Sequence, residues 1–424
     1  MFGFANALLL ALFAAAGVDL VLALRCKAVG QLFTVPHYLF GDWGSEARAR
    51  WGQRAFLLAL MLYEFTVVFC NSMARQNWAW VQGVMSPVLE WLAFLCFGAK
   101  ILFGTRYTWR ELLAGGALYF IARWVYFNSQ NIWWIGIVVA VLAAKDVRLR
   151  HPLQVYFASG CAAMAVVLAL HFAGIVAPDL TSERMGALRG TYGYGHPNTF
   201  GGLVFGLVLA YALLRAQKVR WVDCLLVFAV GVFLLVGPAS RSAALCTLAL
   251  AVGLVFCRLR AGHSVPRWWP GTCAGMVGLT AAVSYLLPLL VIKVGPWNND
   301  IGPAWLAKLD SLLTCRISLT WMAYRLLDVK IAGQVFNWPT VDNSFAFALF
   351  QFGPVVAALL GILFAAALWG HAKQGRRVEV CCLFAMLAYA YMEVQPFHLT
   401  TNPTALLLCG AVFAQTSARW QKIE

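Results

Sequence analysis

Residues 199–260 read TFGGLVFGLVLAYALLRAQKVRWVDCLLVFAVGVFLLVGPASRSAALCTLALAVGLVFCRLR. Three apolar runs, 199–217, 221–237 and 241–257, fill the stretch. They are parted by a basic turn (Arg215, Lys218, Arg220) and by a tight GPASR turn that ends on Arg241. A bilayer core is crossed by roughly 20 consecutive apolar residues in a helix. Run, basic turn, run is therefore the pattern of transmembrane hairpins, and the same pattern extends in both directions.

Further spans are expected at 4–24, 55–74, 80–103, 111–127, 131–144, 153–173, 270–291, 343–369, 378–393 and 402–415. The fold class is all-α: a polytopic transmembrane helical bundle of about 12–14 spans. The chain is 62% hydrophobic and 12% charged, about half the charge of an ordinary soluble domain. Residues 1–424 read as one integral membrane domain, with N-terminal helices in 1–144 and a core in 145–415. Two long loops, about 174–198 and 292–342, are expected on the outer side. The run at 4–24 lacks the positive n-region of a signal peptide and reads as a retained span.

Charge sets the orientation. With Met1 outside, 22 of the 32 Lys and Arg fall in inner segments, from Arg25 and Lys27 to Arg419 and Lys422. Every inner segment carries at least two, as the positive-inside rule requires. The net charge of +15 is thus accounted for without nucleic acid, for which no basic face with interleaved aromatics is present. Most of the 12 cysteines lie inside apolar runs, and Cys381-Cys382 is a bare pair, so neither a disulfide framework nor a metal site is expected. No Walker A loop, HExxH or GxSxG occurs, which counts against a nucleotide-driven pump and a zinc protease.

The ten remaining cations carry the functional signal: Arg75, Arg123, Arg184, Arg189, Arg241, Lys293, Lys308, Arg316, Arg325 and Lys330. Positive charge is disfavoured outside, so cations kept there call for a use. Arg189 lies among glycines ahead of His196-Pro197-Asn198, where Asn198 reads as a helix N-cap. A guanidinium beside a helix N-terminus suits phosphate, although a glycine-rich turn with a capped helix accounts for the same residues. An amphipathic helix is expected over about 308–329, carrying Arg316 and Arg325, with snorkelling to lipid headgroups the plainer account of Arg325. Asp342 and Asn343 stand where the chain re-enters the membrane, and Asp342 reads equally as cap or as general base. Glu393, with His398 and Asn402, forms another outer polar group. Arg123 lies inside a span, where a charge faces a polar cavity or a partner such as Glu64 or Glu90. Outer arginines without a nucleotide site point to an anionic, membrane-borne substrate, and lipid pyrophosphate fits.

The order of these segments carries a resemblance. KDVRLRHPLQVYF (145–157) precedes Arg189 and GYGHPN, then SRSAALCTLAL (240–250), LDSLLTCRISL (309–319) and DNSFAFALFQFG (342–353), and last Glu393 before Asn402. The succession resembles the Wzy-like polysaccharide polymerases of the O-antigen ligase and polymerase superfamily, most of all the capsule or exopolysaccharide type of Gram-positive bacteria. The resemblance implies a glycosyltransferase of the bacterial cytoplasmic membrane with its active site facing outside. It would move a growing glycan from polyprenyl (undecaprenyl) pyrophosphate to a hydroxyl of another lipid-linked repeat unit, with no cofactor and no metal.

Arg189, Arg241 and Arg316 would hold the pyrophosphate, with Asp342 or His196 as base and Asn198, Asn343, Glu393 and Arg123 lining the cavity. Donor and acceptor lipids would be its partners, with a chain-length regulator and a flippase beside them. The related ligases carry His-Asn at the re-entry point; here Asp342 stands in the histidine's place, which favours polymerase over ligase. A ligase acting on a different acceptor remains the nearest alternative. A flippase of lipid-linked oligosaccharide is the alternative of another class, disfavoured because the charges collect at the rim and not at midplane.

Overall fold

The computed structural model describes residues 45–176, 182–184, 187–291 and 303–413. The expected span at 4–24 lies outside the described residues. The chain is a multi-pass helical membrane protein. Among the described residues, seven helices are long and apolar enough to cross a membrane, and shorter apolar helices stand beside them. Sequence reading expects about thirteen spans; the difference lies partly in helices that break or fall short.

The principal helices are α1 (Ser45–Cys70), α2 (Ser86–Phe103), α3 (Trp109–Ser129), α4 (Ile132–Ala143) and α5 (Arg150–Phe172). They continue with α6 (Pro197–Leu214), α7 (Trp221–Val236), α8 (Arg241–Leu259), α9 (Trp269–Leu286), α10 (Ala304–Leu312), α11 (Arg316–Leu326), α12 (Pro354–Lys373) and α13 (Arg377–Met392). The loop after α5 contains a short antiparallel hairpin, β1 (Ser182–Arg184) with β2 (Ala187–Arg189), which pairs Ser182 with Arg189. This hairpin is an addition to the all-α expectation.

Helix ends follow local chemistry. Thr108 caps α3 in a reciprocal box with Glu111, and Asn131 caps α4 by accepting from the Trp133 N–H at 2.9 Å. α4 is apolar all round and buried from Trp134 to Ala143, so it stands in the interior. α1 packs on α2 and α5, α7 on α8, α9 on α12, and α8 on α13. Between the ends of α2, α3 and α4, Lys100 Nζ donates to the Lys145 carbonyl (2.8 Å), and Lys145 pairs with Glu111 (3.5 Å) and Asp146 (3.2 Å). These two lysines thus join α2, α3 and α4.

Three expectations are corrected. The helix foreseen over 308–329 is two helices, because Thr314 and Cys315 take positive φ (63° and 62°) and turn the chain between α10 and α11. The span foreseen over 343–369 breaks at Gly353, whose φ is +87°. A short helix, Ser344–Phe347, runs into a π turn, Ala348–Phe352, ahead of the break, and α12 starts after it. Arg123 pairs with neither Glu64 nor Glu90. Its guanidinium sits over Phe127 at 4.5 Å and Tyr126 at 5.4 Å. Glu90 instead accepts from Ser86 Oγ at 2.6 Å, and the buried Glu64 oxygens have no hydrogen-bond partner among the described residues.

The break at Gly353 is also a docking point. A Cβ there would lie 2.1 Å from the Ile331 carbonyl oxygen, and a Cβ at Gly333 (φ +74°) 2.0 Å from that of Gln351. Two backbone crossings therefore seat the end of the long loop against the π turn, just beyond Asp342. Gly353→Ala is expected to lower unfolding stability by about 1–3 kcal/mol from backbone strain, with the carbonyl clash added. Thermal denaturation in detergent checks this against Gly361→Ala on α12, where a Cβ meets nothing within 4 Å and no loss is expected.

Candidate functional site

The polar cluster is built around Glu393. The residue lies just past the last helical residue of α13, in extended conformation, and is 4% exposed. Its Oε1 accepts from Asn198 Nδ2 (3.0 Å), Ser242 Oγ (2.8 Å) and Arg316 Nη2 (2.5 Å). The three donors stand in the first turns of α6, α8 and α11. A desolvated carboxylate is costly unless paired and hydrogen-bonded, and this one is both. Burial pushes its carboxyl up to about 6, with Asp342 adding to the rise, against the opposing pull of Arg316 and Ser242.

Arg316 is largely spent within the protein. Nε donates to the Met392 carbonyl, Nη1 to Leu313 O (2.9 Å), and Nη2 to Ser242 Oγ (3.3 Å) as well as to Glu393. A guanidinium has five N–H groups, so little of this one is left for a ligand. Its position is set by Asp310, seven residues before Ile317. Asp310 Oδ1 accepts from the N–H groups of Ile317 (2.7 Å) and Ser318 (3.1 Å), and Oδ2 from Ser318 Oγ (2.8 Å). The reversal at Thr314-Cys315 swings Asp310 back over the start of α11, whose own N-cap residue, Cys315, makes no side-chain cap bond.

Arg189, at the end of β2 and buried, donates from Nη2 to Asn198 Oδ1 (3.0 Å) and to the Ala239 carbonyl (3.2 Å). Asn198 therefore links Arg189 to Glu393, one amide oxygen to one side and its nitrogen to the other. Glycines give α6 the room to do this: a Cβ at Gly201 would lie 2.3 Å from Ser240 Oγ, and one at Gly202 1.8 Å from Gln395 Oε1. Arg241, the first residue of α8, is exposed and stands between Ser240 and Ser242. Ser240 Oγ reaches Asn198 Oδ1 at 3.5 Å.

The capping expectation for Asn198 is corrected, because His196 is the N-cap of α6, its Nδ1 accepting from the Asn198 N–H at 3.1 Å. A neutral imidazole that accepts at Nδ1 carries its proton at Nε2 and presents a donor there. At the re-entry point Asn343 is the cap: Oδ1 accepts from Phe345 N (2.9 Å) and Ala346 N (3.2 Å), while Nδ2 donates to Ser284 Oγ (3.1 Å). Asp342 is left half-buried, within electrostatic reach of Glu393 and with no hydrogen bond or ion pair among the described residues. Ser344 Oγ donates to the Glu393 carbonyl at 2.5 Å, which holds this segment against the cluster.

The structure thus brings together Arg189, Asn198, Arg316, Asp342 and Glu393, with His196 and Arg241 at the starts of α6 and α8 and Asn343 next to Asp342. Arg123 makes no bond to Glu393. Nor do His398 and Asn402: the first packs on Trp133 at 4.0 Å, and the second caps the 3-10 helix Pro403–Leu408. Arg325 lies over Trp321 at 5.3 Å on its own helix. Sequence reading missed Ser242, Ser344 and Asp310. All three sit inside quoted motifs, the serines as ordinary small residues, and Asp310 becomes a cap only once the chain has reversed.

Removing one partner of the buried pair leaves the other uncompensated. Glu393→Ala and Arg316→Ala are each expected to cost about 3–5 kcal/mol of stability, and the double change Arg316→Met/Glu393→Leu much less than their sum. Denaturation of the four proteins in one detergent measures this, and additive losses would contradict the pairing. No family model, curated protein or solved structure matches this chain.

Proposed function

We propose that the protein is a polysaccharide polymerase of the bacterial cytoplasmic membrane, acting at its outer face on polyprenyl-pyrophosphate-linked glycans. The observation that carries this reading is the gathering of Arg189, Arg241 and Arg316 with Asp342, which has no partner among the described residues, at one end of α6, α8 and α13. By charge bias that end faces outside, where cations are disfavoured unless used. The finer topology of about 12–14 spans, with long outer loops, belongs to the same proposal.

The geometry divides the labour among the arginines. Arg241 is exposed at the N-terminus of the 19-residue α8, where a guanidinium and a helix N-terminus together favour a diphosphate. Arg189 connects to the start of α8 through Asn198 and Ser240 and adds a second positive field. Arg316 holds Glu393 and fixes the floor of the cluster. Asp342 takes the proton from the acceptor hydroxyl, whose oxygen forms the new bond to the anomeric carbon. The bond from that carbon to the pyrophosphate oxygen breaks, and the negative charge left on the polyprenyl pyrophosphate is met by the arginines. Asp342 fits the base role better than His196 because its carboxylate is uncommitted, whereas the Nδ1 of His196 is committed as a cap.

The test uses purified protein in lipid nanodiscs with a polyprenyl-pyrophosphate repeat unit as sole substrate, in the presence of chelator. A ladder of lipid-linked oligomers is expected from the wild type. Removing one preorganised electrostatic donor costs on the order of 100-fold or more in rate, so Arg241→Ala should nearly abolish the ladder. Asp342→Asn should do the same while leaving thermal stability unchanged, since Asn343 supplies the cap. Full chain extension by Asp342→Asn would remove the base assignment. No ladder from the wild type, with extension restored by a different acceptor, would identify a ligase instead.

A further inference from the structure

At the opposite end of the bundle α6 and α8 finish and α13 begins, around a cavity of about 370 Å³. Its walls come from the turn 216–219, from Cys257, Arg258 and Ala261, and from 375–379. Four cations line it, Lys218, Arg258, Arg376 and Arg377, against one acid, Glu379. Two of the four are accounted for. Arg377 donates to the carbonyls of Arg260, His263 and Ser264, which pins the α8–α9 loop, and Arg376 interacts with Glu379. Lys218 and Arg258 are left exposed, and among the described residues their side chains have no hydrogen bond or ion pair.

Exposed apolar residues flank those two cations, among further basic residues such as Arg220 and Arg260. Lys218 leads into α7, where Trp221, Val222 and Leu225 are 53%, 70% and 67% exposed. Arg258 is set between exposed Phe256 and Leu259 on α8. Trp221 and the exposed Trp268 mark this end as headgroup depth, where such rings collect. A free inorganic anion would use the cations and leave these flanks idle. A ligand with a phosphate and acyl chains uses both, and basic pockets between spanning helices are suited to such headgroups.

We propose that this cavity binds an anionic phospholipid of the leaflet opposite the Glu393 cluster, with its phosphate between Lys218 and Arg258 and its chains along α7 and α8. The full-length protein in detergent, incubated with phosphatidylglycerol or with phosphatidylcholine and read by native mass spectrometry, tests this. Wild type should retain phosphatidylglycerol in preference to phosphatidylcholine. The double change Lys218→Gln/Arg258→Gln should weaken that retention about tenfold or more, at several-fold per basic residue. Arg267→Gln, an exposed cation at the same end but outside the cavity, should leave it unchanged. Equal phosphatidylglycerol retention by wild type and double variant would overturn the proposal, as would an equal loss from Arg267→Gln, which would indicate surface charge alone. Displacement of the lipid by millimolar inorganic phosphate without loss of the double variant's effect would assign the cavity to free phosphate and overturn the lipid.

Discussion

A buried carboxylate has to be surrounded by donors, and in this chain that requirement falls on Glu393. One oxygen collects an amide, a hydroxyl and a guanidinium from the first turns of three helices. Each donor is delivered by a local device: a histidine cap on α6, a Ser-Arg-Ser start on α8, and a remote aspartate cap on α11. Charge neutralisation within the cluster is what lets the ends of these helices converge. Glu393, unpaired, would drive its surroundings apart or bring in water.

The same arrangement separates roles that look equivalent along the chain. Arg316 is buried and holds Glu393 and the Met392 carbonyl, whereas Arg241 at the start of α8 is exposed. Asp342 and Asn343 are neighbours with opposite fates: the amide caps the helix and the carboxylate is left uncommitted. A cap requires an acceptor aimed at free N–H groups, and Asn343 satisfies that while also donating to Ser284. The division gives the rim of the cluster an exposed cation and a free carboxylate over a neutralised floor. In the reading proposed here, those are the parts a pyrophosphate leaving group and an acceptor hydroxyl need.

Much of the helical frame was legible in the sequence because apolar length is a local property. Runs such as 199–217 and 241–257 became α6 and α8 with ends shifted by a few residues. The breaks were less legible. Hydropathy runs unbroken through Gly353, and nothing in composition marks Thr314 and Cys315 as left-handed. Arg189 and Arg316 could be singled out by positive charge placed against the topological trend, Asn198 as a candidate helix cap and Glu393 as a polar residue at a span's end. Their mutual contacts could not, since Asn198 and Glu393 are joined across 195 positions by packing that no local pattern encodes. Asp310 was invisible for the same reason.

The central claim is that the Glu393 cluster forms the floor of a site for lipid pyrophosphate. A cryo-electron microscopy structure of the protein in nanodiscs, with a non-transferable polyprenyl diphosphonate bound, examines it directly. The account predicts diphosphonate density within hydrogen-bonding distance of Arg241, close to Arg189 and Asp342, with Arg316 still paired to Glu393. Density at another place on the molecule, with Arg241 and Asp342 facing empty solvent, would contradict it.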